Sequence, residues 1–287
     1  MKCMSVNVVA ILVSFGLQMQ ARGDVDLGCA QGFAVLSGST VTNTGPSIIN
    51  GDLGVWPGTE VTGFPPGILN GEMHLGDAVA HQAQEAAFTA YSFLAGMEPT
   101  ENLTGTDLGG MTLPPGVYFF ASSASLTGSL TLDALGDPDA IFVFQIGSTL
   151  TTGTASSVVE ANGASGCNVY WQVGSSATLG TETAFQGSIL AWESITLNTN
   201  ATIMNGRALA RNGAVSLDSN TITACLPECP ADFDGDGDVD TGDLLHLLGA
   251  WGTPDGDVDC DGDTDTADLL ALLGAWGDCP QPRMPFN

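Results

Sequence analysis

Phe144-Gln-Ile-Gly-Ser-Thr149 and Trp171-Gln-Val-Gly-Ser-Ser176 are two imperfect copies of one short pattern, twenty-seven residues apart. The residues around them alternate in the manner of β-strands, and the glycines mark corners where the chain turns. Short strands that repeat between glycine corners indicate a β-solenoid, in which each coil stacks on the next. From the pattern alone, an ordinary β-sandwich is the alternative.

One segment of this region has a helical period instead. Residues 76–96 carry an apolar stripe, Asp77 can cap the first turn, and Gly96 with Pro99 ends the helix. A helix of about 20 residues is about 30 Å long, which matches about six strands stacked about 4.8 Å apart. The sequence therefore predicts a solenoid with one long helix along its flank. The stripe consists of Val79, Ala83, Ala86, Ala90, Phe93, Leu94 and Met97.

The charge balance restricts the kinds of partner and reaction. The 287 residues include 32 Asp+Glu but only 5 Lys+Arg, a formal net charge of −27. Nucleic acid and anionic membrane surfaces repel such a chain, so neither is an expected partner. A polysaccharide-acting enzyme is the catalytic alternative, but it would need grouped carboxylates, basic residues and aromatic platforms along one groove. The acids before residue 224 are scattered, so we expect a protein that is not an enzyme.

The N-terminus has the features of a secretory signal. Lys2 precedes an apolar run from Val6 to Leu17, and Ala21 stands at a plausible cleavage position. The run is too short and wrongly flanked for a membrane-spanning helix, and a buried N-terminal strand is the alternative. We predict a signal peptide over 1–23 and a secreted or cell-surface location without membrane insertion.

The cysteines predict disulfides. An even number follows the predicted signal peptide, as is typical of exported proteins, although the sequence does not choose among the possible connectivities. Our preferred pairs are Cys167–Cys225 and Cys229–Cys279. A metal–thiolate site is not expected, because the chain has no C-x-x-C pair and only three histidines. The six cysteines are Cys29, Cys167, Cys225, Cys229, Cys260 and Cys279.

Composition changes abruptly around residues 224–230. Beyond this point fourteen aspartates occur between Asp232 and Asp278, with no Lys or Arg among them. We therefore predict a solenoid domain over 24–224, a linker over 225–230, a small α-helical EF-hand-like calcium module over 231–280, and a tail over 281–287.

Two loops of this module, 232–243 and 257–268, have the spacing of calcium sites. Each has oxygen ligands at positions 1, 3, 5, 9 and 12 and glycine at position 6, while position 7 can ligate through its carbonyl. Each loop runs into an apolar helix. A solvated acidic linker is the alternative, but it explains neither the glycines nor the duplication. We predict about two calcium ions, held by Asp232, Asp234, Asp236, Asp238, Asp240, Asp243, Asp257, Asp259, Asp261, Asp263, Asp265 and Asp268.

The duplicated loop and helix resemble a type I dockerin, a calcium-dependent module that docks onto cohesin domains. Both loops have Asp rather than Glu at the twelfth position, as dockerins do. The resemblance implies that Thr241-Gly242 and Thr266-Ala267 contact the partner. No Lys or Arg follows on the helices, which departs from the family's cohesin-facing surface. The expected partner of this module is a cohesin-like or cell-surface protein.

The larger domain resembles the secreted ice-binding protein family of bacteria, fungi and algae. The resemblance covers residues 27–224 and implies a right-handed, irregular β-solenoid of triangular cross-section with a long helix alongside. The motifs, in order, are Gly32-Phe-Ala-Val-Leu-Ser-Gly-Ser-Thr-Val-Thr-Asn-Thr-Gly45, Ile49-Asn-Gly-Asp-Leu-Gly-Val55, Gly76-Asp-Ala78, Leu113-Pro-Pro-Gly-Val-Tyr118, Phe142-Val-Phe-Gln-Ile-Gly147, Asn168-Val-Tyr-Trp-Gln-Val-Gly174 and Asn205-Gly-Arg-Ala-Leu-Ala210.

Ice has neither charge nor a pocket, so a surface that binds it must be flat, rigid and weakly hydrating. Threonine suits such a surface, because its hydroxyl joins the water network and its β-branching stiffens χ1. One hydroxyl contributes about 1 kcal/mol net, so adhesion needs an array, although threonine is also common on any solvated strand. The candidates are Thr40, Thr42, Thr59, Thr62, Ser125, Thr127, Thr149, Thr151, Thr154, Thr178, Thr181, Thr183, Thr196, Thr199 and Thr202.

The sequence as a whole predicts a secreted protein that adsorbs to ice crystals through a flat Thr/Ser-rich face and carries a calcium-stabilised docking module. The alternative is a non-enzymatic extracellular adhesion or scaffold protein tethered through the dockerin-like module. Arg207 and Arg211 are the only cations of the larger domain, and we expect them to pair with nearby carboxylates. Trp171 and Trp192 are expected in the core.

Overall fold

The computed structural model describes residues 25–225, 229, 231–234 and 236–279. The predicted signal peptide, most of the predicted linker and the predicted tail lie outside the described residues. The α-helices are α1 (Ala78–Gly96), α2 (Thr241–Gly249) and α3 (Thr266–Gly274). The strands are β1 (Phe33–Ser37), β2 (Thr40–Thr44), β3 (Ile48–Asn50), β4 (Asp52–Val55), β5 (Glu60–Thr62), β6 (Ile68–Asn70), β7 (Met73–Leu75), β8 (Glu101–Asn102), β9 (Thr112–Leu113), β10 (Gly116–Phe120), β11 (Ala124–Leu126), β12 (Ser129–Asp133), β13 (Phe142–Ile146), β14 (Leu150–Thr152), β15 (Ser157–Ala161), β16 (Val169–Val173), β17 (Ala177–Leu179), β18 (Ala184–Gln186), β19 (Ser188–Ala191), β20 (Ile195–Leu197), β21 (Thr202–Met204), β22 (Ala208–Ala210), β23 (Val215–Asp218), β24 (Thr221–Thr223), β25 (Asp238–Val239) and β26 (Gly277–Asp278).

Three parallel sheets enclose the core of the larger domain. Most coils of the chain contribute one strand to each sheet in turn, and this is the arrangement of the predicted β-solenoid rather than of a sandwich. Sheet A has the order β7-β4-β1-β22-β19-β16-β13-β10-β8, sheet B the order β11-β14-β17-β20-β23-β2-β5, and sheet C the order β6-β3-β24-β21-β18-β15-β12-β9.

The sequence repeat corresponds to two adjacent coils. In sheet A, Phe144 pairs with Trp171 and Gln145 with Gln172. The Phe144 and Trp171 rings stack with centroids 3.9 Å apart, and Tyr118 extends the stack from the next coil at 5.4 Å. Trp171 is fully buried, which confirms its predicted place in the core. The parallel register of β10, β13 and β16 therefore places these three rings in one stacked column inside the solenoid.

The coils do not stack in chain order, since β1 lies between β4 and β22. Strands β4 and β7 extend sheet A on one side of β1. Helix α1 then carries the chain along sheet A to its opposite end, at β8. The later coils stack from that end back towards β1, so that β22 pairs with β1. Asp77 caps α1 as predicted, accepting a hydrogen bond from the Ala80 N–H at 2.9 Å. At the other end, Gln145 Nε2 donates to the carbonyls of Leu94 and Met97. Because Gln145 lies on β13, these two bonds tie the C-terminal end of α1 to sheet A.

Two side chains predicted to be buried lie at the surface. Phe93 is 46% exposed and Trp192 is 36% exposed. Small alanines, Leu94 and Gln84 form the buried face of α1, and Gln84 Nε2 donates to the Ala210 carbonyl of sheet A. Phe93 lies beside this face. The Trp192 ring packs against Phe88 and Tyr91 of α1. The prediction that Trp192 is a core residue was therefore wrong, because it covers the flank of the helix.

The two arginines have different partners. Arg211 donates to Glu85 Oε1 at 3.0 Å, which confirms the expected carboxylate partner. Arg207 is 3% exposed, and its guanidinium donates to the carbonyls of Gln31 and Cys225 and to the Ser188 hydroxyl. The expectation of a carboxylate partner was wrong for Arg207. Its side chain instead joins the start and the end of the solenoid.

Three disulfides connect the described residues. Cys167–Cys225 and Cys229–Cys279 confirm the preferred pairs. The third, Cys29–Cys260, joins the 3₁₀ turn Gly28–Ala30 at the start of the solenoid to the C-terminal module. In the described part of the chain, no helix combines the length and the apolar character needed to cross a membrane.

Candidate functional site

The outer surface of sheet B carries one continuous row of hydroxyl side chains. Six of the seven strands bury the residues on either side of an outward position, as β17 buries Ala177 and Leu179 and leaves Thr178 outward. In the edge strand β5 the outward residue is Thr62, and its neighbour Val61 is only partly buried. The parallel register aligns these outward positions across all seven strands of the sheet. We call the set the hydroxyl row; in order along the sheet it is Ser125, Thr151, Thr178, Thr196, Ser216, Thr42 and Thr62.

The row is regular because the backbone determines its geometry. Adjacent strands of a sheet are about 4.8 Å apart, so seven members extend over about 29 Å. Buried neighbours on both sides of six members anchor their strands in the core, and most of these neighbours are apolar. The β-branch of each threonine further restricts its χ1 rotation. The row therefore presents hydroxyl and methyl groups at one repeat distance on a stiff support.

A second set of hydroxyls flanks the row on the side where the strands begin. Its members lie two residues before the members of the hydroxyl row, and Thr149 Oγ1 donates to Ser123 Oγ at 2.9 Å. Glu60 and Ala214 interrupt this second set at two strands. Its hydroxyl members are Ser123, Thr149, Ser176, Ser194 and Thr40.

The seven members of the hydroxyl row are uncharged, but Asp107 pairs in parallel register with Ser125 and so occupies the next position beyond that end of the row. At one end, Asp107 accepts hydrogen bonds from the hydroxyls of Ser125, at 2.7 Å, and Thr127, at 3.0 Å. Partial burial opposes ionisation of Asp107, but hydrogen bonds from Ser125, Gly109 and Thr127 outweigh it and lower the pKa of this carboxyl. Asp107 is therefore an anion that orients the hydroxyl of Ser125, the terminal member of the row.

The other two sheets differ from sheet B. Sheet A lies under α1, and its central strands are buried on both faces. The corresponding outward row of sheet C begins with Ser129 and Ser157 but is interrupted by Ala184, and it ends at the exposed isoleucines Ile48 and Ile68. A continuous array of hydroxyls is therefore a property of sheet B.

The fifteen residues predicted to bind ice do not all lie on one surface of the structure. Thr183 is 1% exposed and its hydroxyl bonds to Thr152 and to the Gly153 carbonyl, so its predicted place on a binding face was wrong. Thr202 faces outward on sheet C, away from the row. Six predicted residues belong to the hydroxyl row, Thr40 and Thr149 flank it, Thr59 and Thr127 adjoin strands of sheet B, and Thr154, Thr181 and Thr199 lie in turns between sheets B and C.

Sequence reasoning missed Ser216, the member of the hydroxyl row on β23. It hydrogen-bonds to Thr42 across the junction between the first and the last coil. The alternation Val215-Ser-Leu217 was a signal of an outward position, but a lone serine is a weaker signal than a threonine cluster. Ser123, Ser176 and Ser194 were missed for the same reason.

The two acidic loops have the geometry of oxygen-ligand sites. One carboxylate oxygen from each of Asp232, Asp234 and Asp236 lies within 4.8 Å of the others, and the second loop repeats this arrangement with Asp257, Asp259 and Asp261. These hard oxygen donors match the ligands that calcium prefers.

Glycine at the sixth position is required in both loops, because φ is +95° at Gly237 and +112° at Gly262. In each loop the carboxylate at position 1 accepts a hydrogen bond from that glycine N–H, at 3.0 Å from Gly237 and 2.9 Å from Gly262. Burial, followed by the repulsion of nearby carboxylates, raises the pKa of Asp259. Such a loop accumulates negative charge that a bound cation would neutralise.

Most of the remaining predicted ligands accept hydrogen bonds from backbone N–H groups within their own loop or at the start of the following helix. Asp240 and Asp265 cap α2 and α3 by accepting from the N–H groups of Gly242 and Ala267. The buried carboxylate of Asp243 accepts from the Phe233 and Asp240 N–H groups at 2.6 and 2.8 Å, and Asp268 does the same in the second loop. Asp238 and Asp263 stand at position 7, where the backbone carbonyl is the expected ligand.

Comparisons with known proteins concern the solenoid. Residues 35–223 match the family model described as Ice-binding-like. An ice-binding protein of Nostoc sp. (strain HG1) is 59% identical over 213 residues, which cover 74% of this chain and 79% of the relative. The crystal structure of an ice-binding protein from an Antarctic biological consortium is 49% identical, with a TM-score of 0.70, covering 76% of this chain and 96% of that chain.

A second solved structure, the ice-binding protein of the Antarctic ascomycete Antarctomyces psychrotrophicus, is 44% identical with a TM-score of 0.68. It covers 70% of this chain and 98% of its own. The family match spans all three sheets, from β1 to β24. On the sequence match and the shared parallel β architecture, this chain belongs to the Ice-binding-like family.

Proposed function

We propose that this protein adsorbs to ice crystals through the hydroxyl row of sheet B. The observation that carries the proposal is the register itself: seven adjacent strands each place one serine or threonine at the same outward position. Because one hydroxyl contributes only about 1 kcal/mol net, adhesion depends on the aligned array rather than on any single member. A row without charges leaves the adjacent water free to adopt the lattice arrangement.

Family membership supports the prediction that the protein is not an enzyme. The relative and the solved structures reported above are described as ice-binding proteins, so they give no support to the alternative of an adhesion or scaffold protein. We place the protein outside the cell, and the three disulfides support an oxidising compartment.

The test replaces adjacent threonines on one sheet and uses the other sheet as control. Thr178→Tyr/Thr196→Tyr puts two bulky side chains in the middle of the hydroxyl row, while Thr202→Tyr/Thr221→Tyr puts the same groups on neighbouring strands of sheet C. We expect the first variant to need at least about tenfold more protein to inhibit ice recrystallisation, equivalent to about 1.4 kcal/mol. Equal loss in both variants, or none in either, would contradict the proposal.

We also propose that the C-terminal module binds about two calcium ions through the loops 232–243 and 257–268. The converging carboxylates, the glycines at the sixth position and the duplicated capping boxes of α2 and α3 support this. Titration calorimetry should detect about two sites. Asp232→Ala with Asp257→Ala should abolish the signal, and unchanged binding would exclude these loops.

A docking role for the module rests on a duplicated apolar surface. Leu245, Leu248 and Trp251 are exposed beside α2, and Leu270, Leu273 and Trp276 repeat the pattern beside α3. The residues that the dockerin resemblance implies as contacts, Thr241-Gly242 and Thr266-Ala267, are exposed as well. We propose a cohesin-like protein as the partner. Capture of purified cohesin in calcium but not in chelator is the expected result, and equal capture or none would contradict it.

A further inference from the structure

The two acidic loops differ at their fourth position. The first loop has Gly235 there, whereas the second has Cys260, which forms a disulfide with Cys29 of the solenoid. Cys260 lies between Asp259 and Asp261, two of the three carboxylates that converge in the second loop. A covalent bond thus joins the centre of one acidic loop to the solenoid, and the other loop has no cysteine that could do the same.

The solenoid end of this disulfide lies on a rigid part of the molecule. Cys29 belongs to the 3₁₀ turn Gly28–Ala30, and Ala30 is fully buried in the cluster that contains Ala83 and Ala87 of α1. The next residue, Gln31, accepts hydrogen bonds from Arg207 Nε and Nη2 at 3.1 and 2.7 Å. The turn therefore cannot move without disturbing both α1 and the buried arginine.

A second contact affects the same loop. A Cβ added to Gly262, at the sixth position of the second loop, would lie 2.9 Å from Nε2 of Gln82 on α1. The equivalent Gly237 of the first loop has no atom within 4 Å of that position among the described residues. The second loop is therefore both cross-linked to and packed against the solenoid.

We infer that the Cys29–Cys260 disulfide couples calcium binding at the second loop to the stability of the solenoid, whereas the first loop, which has no such cross-link, is coupled to it more weakly. This inference rests on the calcium binding proposed above. The solenoid holds Cys260 in place and so pre-organises Asp259 and Asp261, and an ordered second loop in turn holds the Gly28–Ala30 turn against α1. Because coupling is reciprocal, the factor by which the solenoid raises calcium affinity equals the factor by which calcium stabilises the solenoid.

The test needs a signal from the solenoid alone. The chain has five tryptophans, and replacing two of them, Trp251→Phe/Trp276→Phe, leaves Trp56, Trp171 and Trp192, all in the solenoid. In this background the thermal midpoint of tryptophan fluorescence should rise by about 5 °C at calcium about 100-fold above Kd. At that ratio binding contributes at most about 2.7 kcal/mol, and each kcal/mol shifts Tm by roughly 2–4 °C.

Matched variants of the two loops distinguish the coupling from general stabilisation. Asp234→Asn and Asp259→Asn change the third position of the first and the second loop. We expect Asp234→Asn to keep most of the calcium-dependent shift and Asp259→Asn to lose it. Cys29→Ser/Cys260→Ser should also lose the calcium-dependent shift. The thermal midpoint of this variant in chelator should fall as well, because a disulfide restrains the unfolded chain. The quantity to compare between proteins is therefore the rise of the midpoint when calcium is added.

Calorimetry on the same proteins shows whether a negative result concerns calcium binding or the coupling of that binding to the solenoid. Calcium binding without a shift of the solenoid midpoint would overturn the coupling and leave the calcium proposal intact. Absence of binding would overturn both. Equal loss of the shift in the two Asp→Asn variants, or a full shift in the Cys→Ser pair, would show that the disulfide does not carry the coupling. Weaker calcium binding at one site in the Cys→Ser pair is the expected calorimetric result.

Discussion

Thr42 Oγ1 donates a hydrogen bond to Ser216 Oγ at 3.3 Å, although 174 residues separate them in the chain. The bond crosses the junction between β2 of the first coil and β23 of the last, inside the hydroxyl row. Continuity of the row therefore depends on the pairing of the two ends of the solenoid. A break at this junction would divide seven aligned hydroxyls into shorter groups.

A charge at this junction should disturb the row without changing the core. Ser216→Asp places a carboxylate among the hydroxyls, where it orders water differently from a lattice, and Thr221→Asp places the same group on sheet C in the same coil. We expect about a tenfold loss of recrystallisation inhibition for the first variant and nearly full activity for the second. Full activity of Ser216→Asp would remove Ser216 from the binding surface.

The buried arginine should stabilise the closure of the solenoid. Burial lowers the pKa of Arg207 to about 10, so the side chain stays charged at neutral pH and satisfies the Gln31 and Cys225 carbonyls. Arg207→Met leaves these acceptors buried without a donor, at about 1–3 kcal/mol each. Urea unfolding should show a loss of about 3 kcal/mol or more. A loss below about 1 kcal/mol would mean that other groups close the solenoid.

The stack of aromatic rings should be a major contributor to stability. Trp171→Ala empties a fully buried site between Phe144 and Phe185, and such truncations cost about 3–5 kcal/mol. Trp192→Ala is the matched control, because this ring is partly exposed and should cost less. Equal losses in chemical unfolding would contradict the assignment of Trp171 to the centre of the core.

Asp107 should give stability a pH dependence of known sign. Its folded-state pKa lies below the ordinary value of 3.8, so its ionised form stabilises the fold above that pH, and the contribution is lost as pH falls through the lowered value. Asp107→Asn should therefore be less stable than the parent at pH 7, and the difference should shrink in acid. A constant difference across this range would contradict the role of the carboxylate charge.

Much of the architecture could be predicted from local sequence signals. The repeat at Phe144 and Trp171 indicated stacked coils, the Asp77 cap marked the start of α1, and the aspartate spacing marked both acidic loops. Two of the three disulfides, Cys167–Cys225 and Cys229–Cys279, were the preferred pairs, although the sequence itself does not distinguish among the possible connectivities. The family resemblance added the irregular solenoid of triangular cross-section as an expectation, but not the order in which the coils stack.

Other features depend on contacts between distant parts of the chain. Cys29 and Cys260 are 231 residues apart, and no local pattern relates them. Ser216 joins the hydroxyl row only because the last coil pairs with the first. The coils vary in length, so alternation alone did not show that Thr183 is buried whereas Thr178 faces outward.

Contact between sheet B and ice is measured most directly as the fraction of fluorescently labelled full-length protein that a slowly growing ice hemisphere takes up. We predict strong uptake for the parent protein and for Thr202→Tyr/Thr221→Tyr, and little uptake for Thr178→Tyr/Thr196→Tyr. Undiminished uptake of the last variant, with its fold confirmed by circular dichroism, would contradict contact through sheet B.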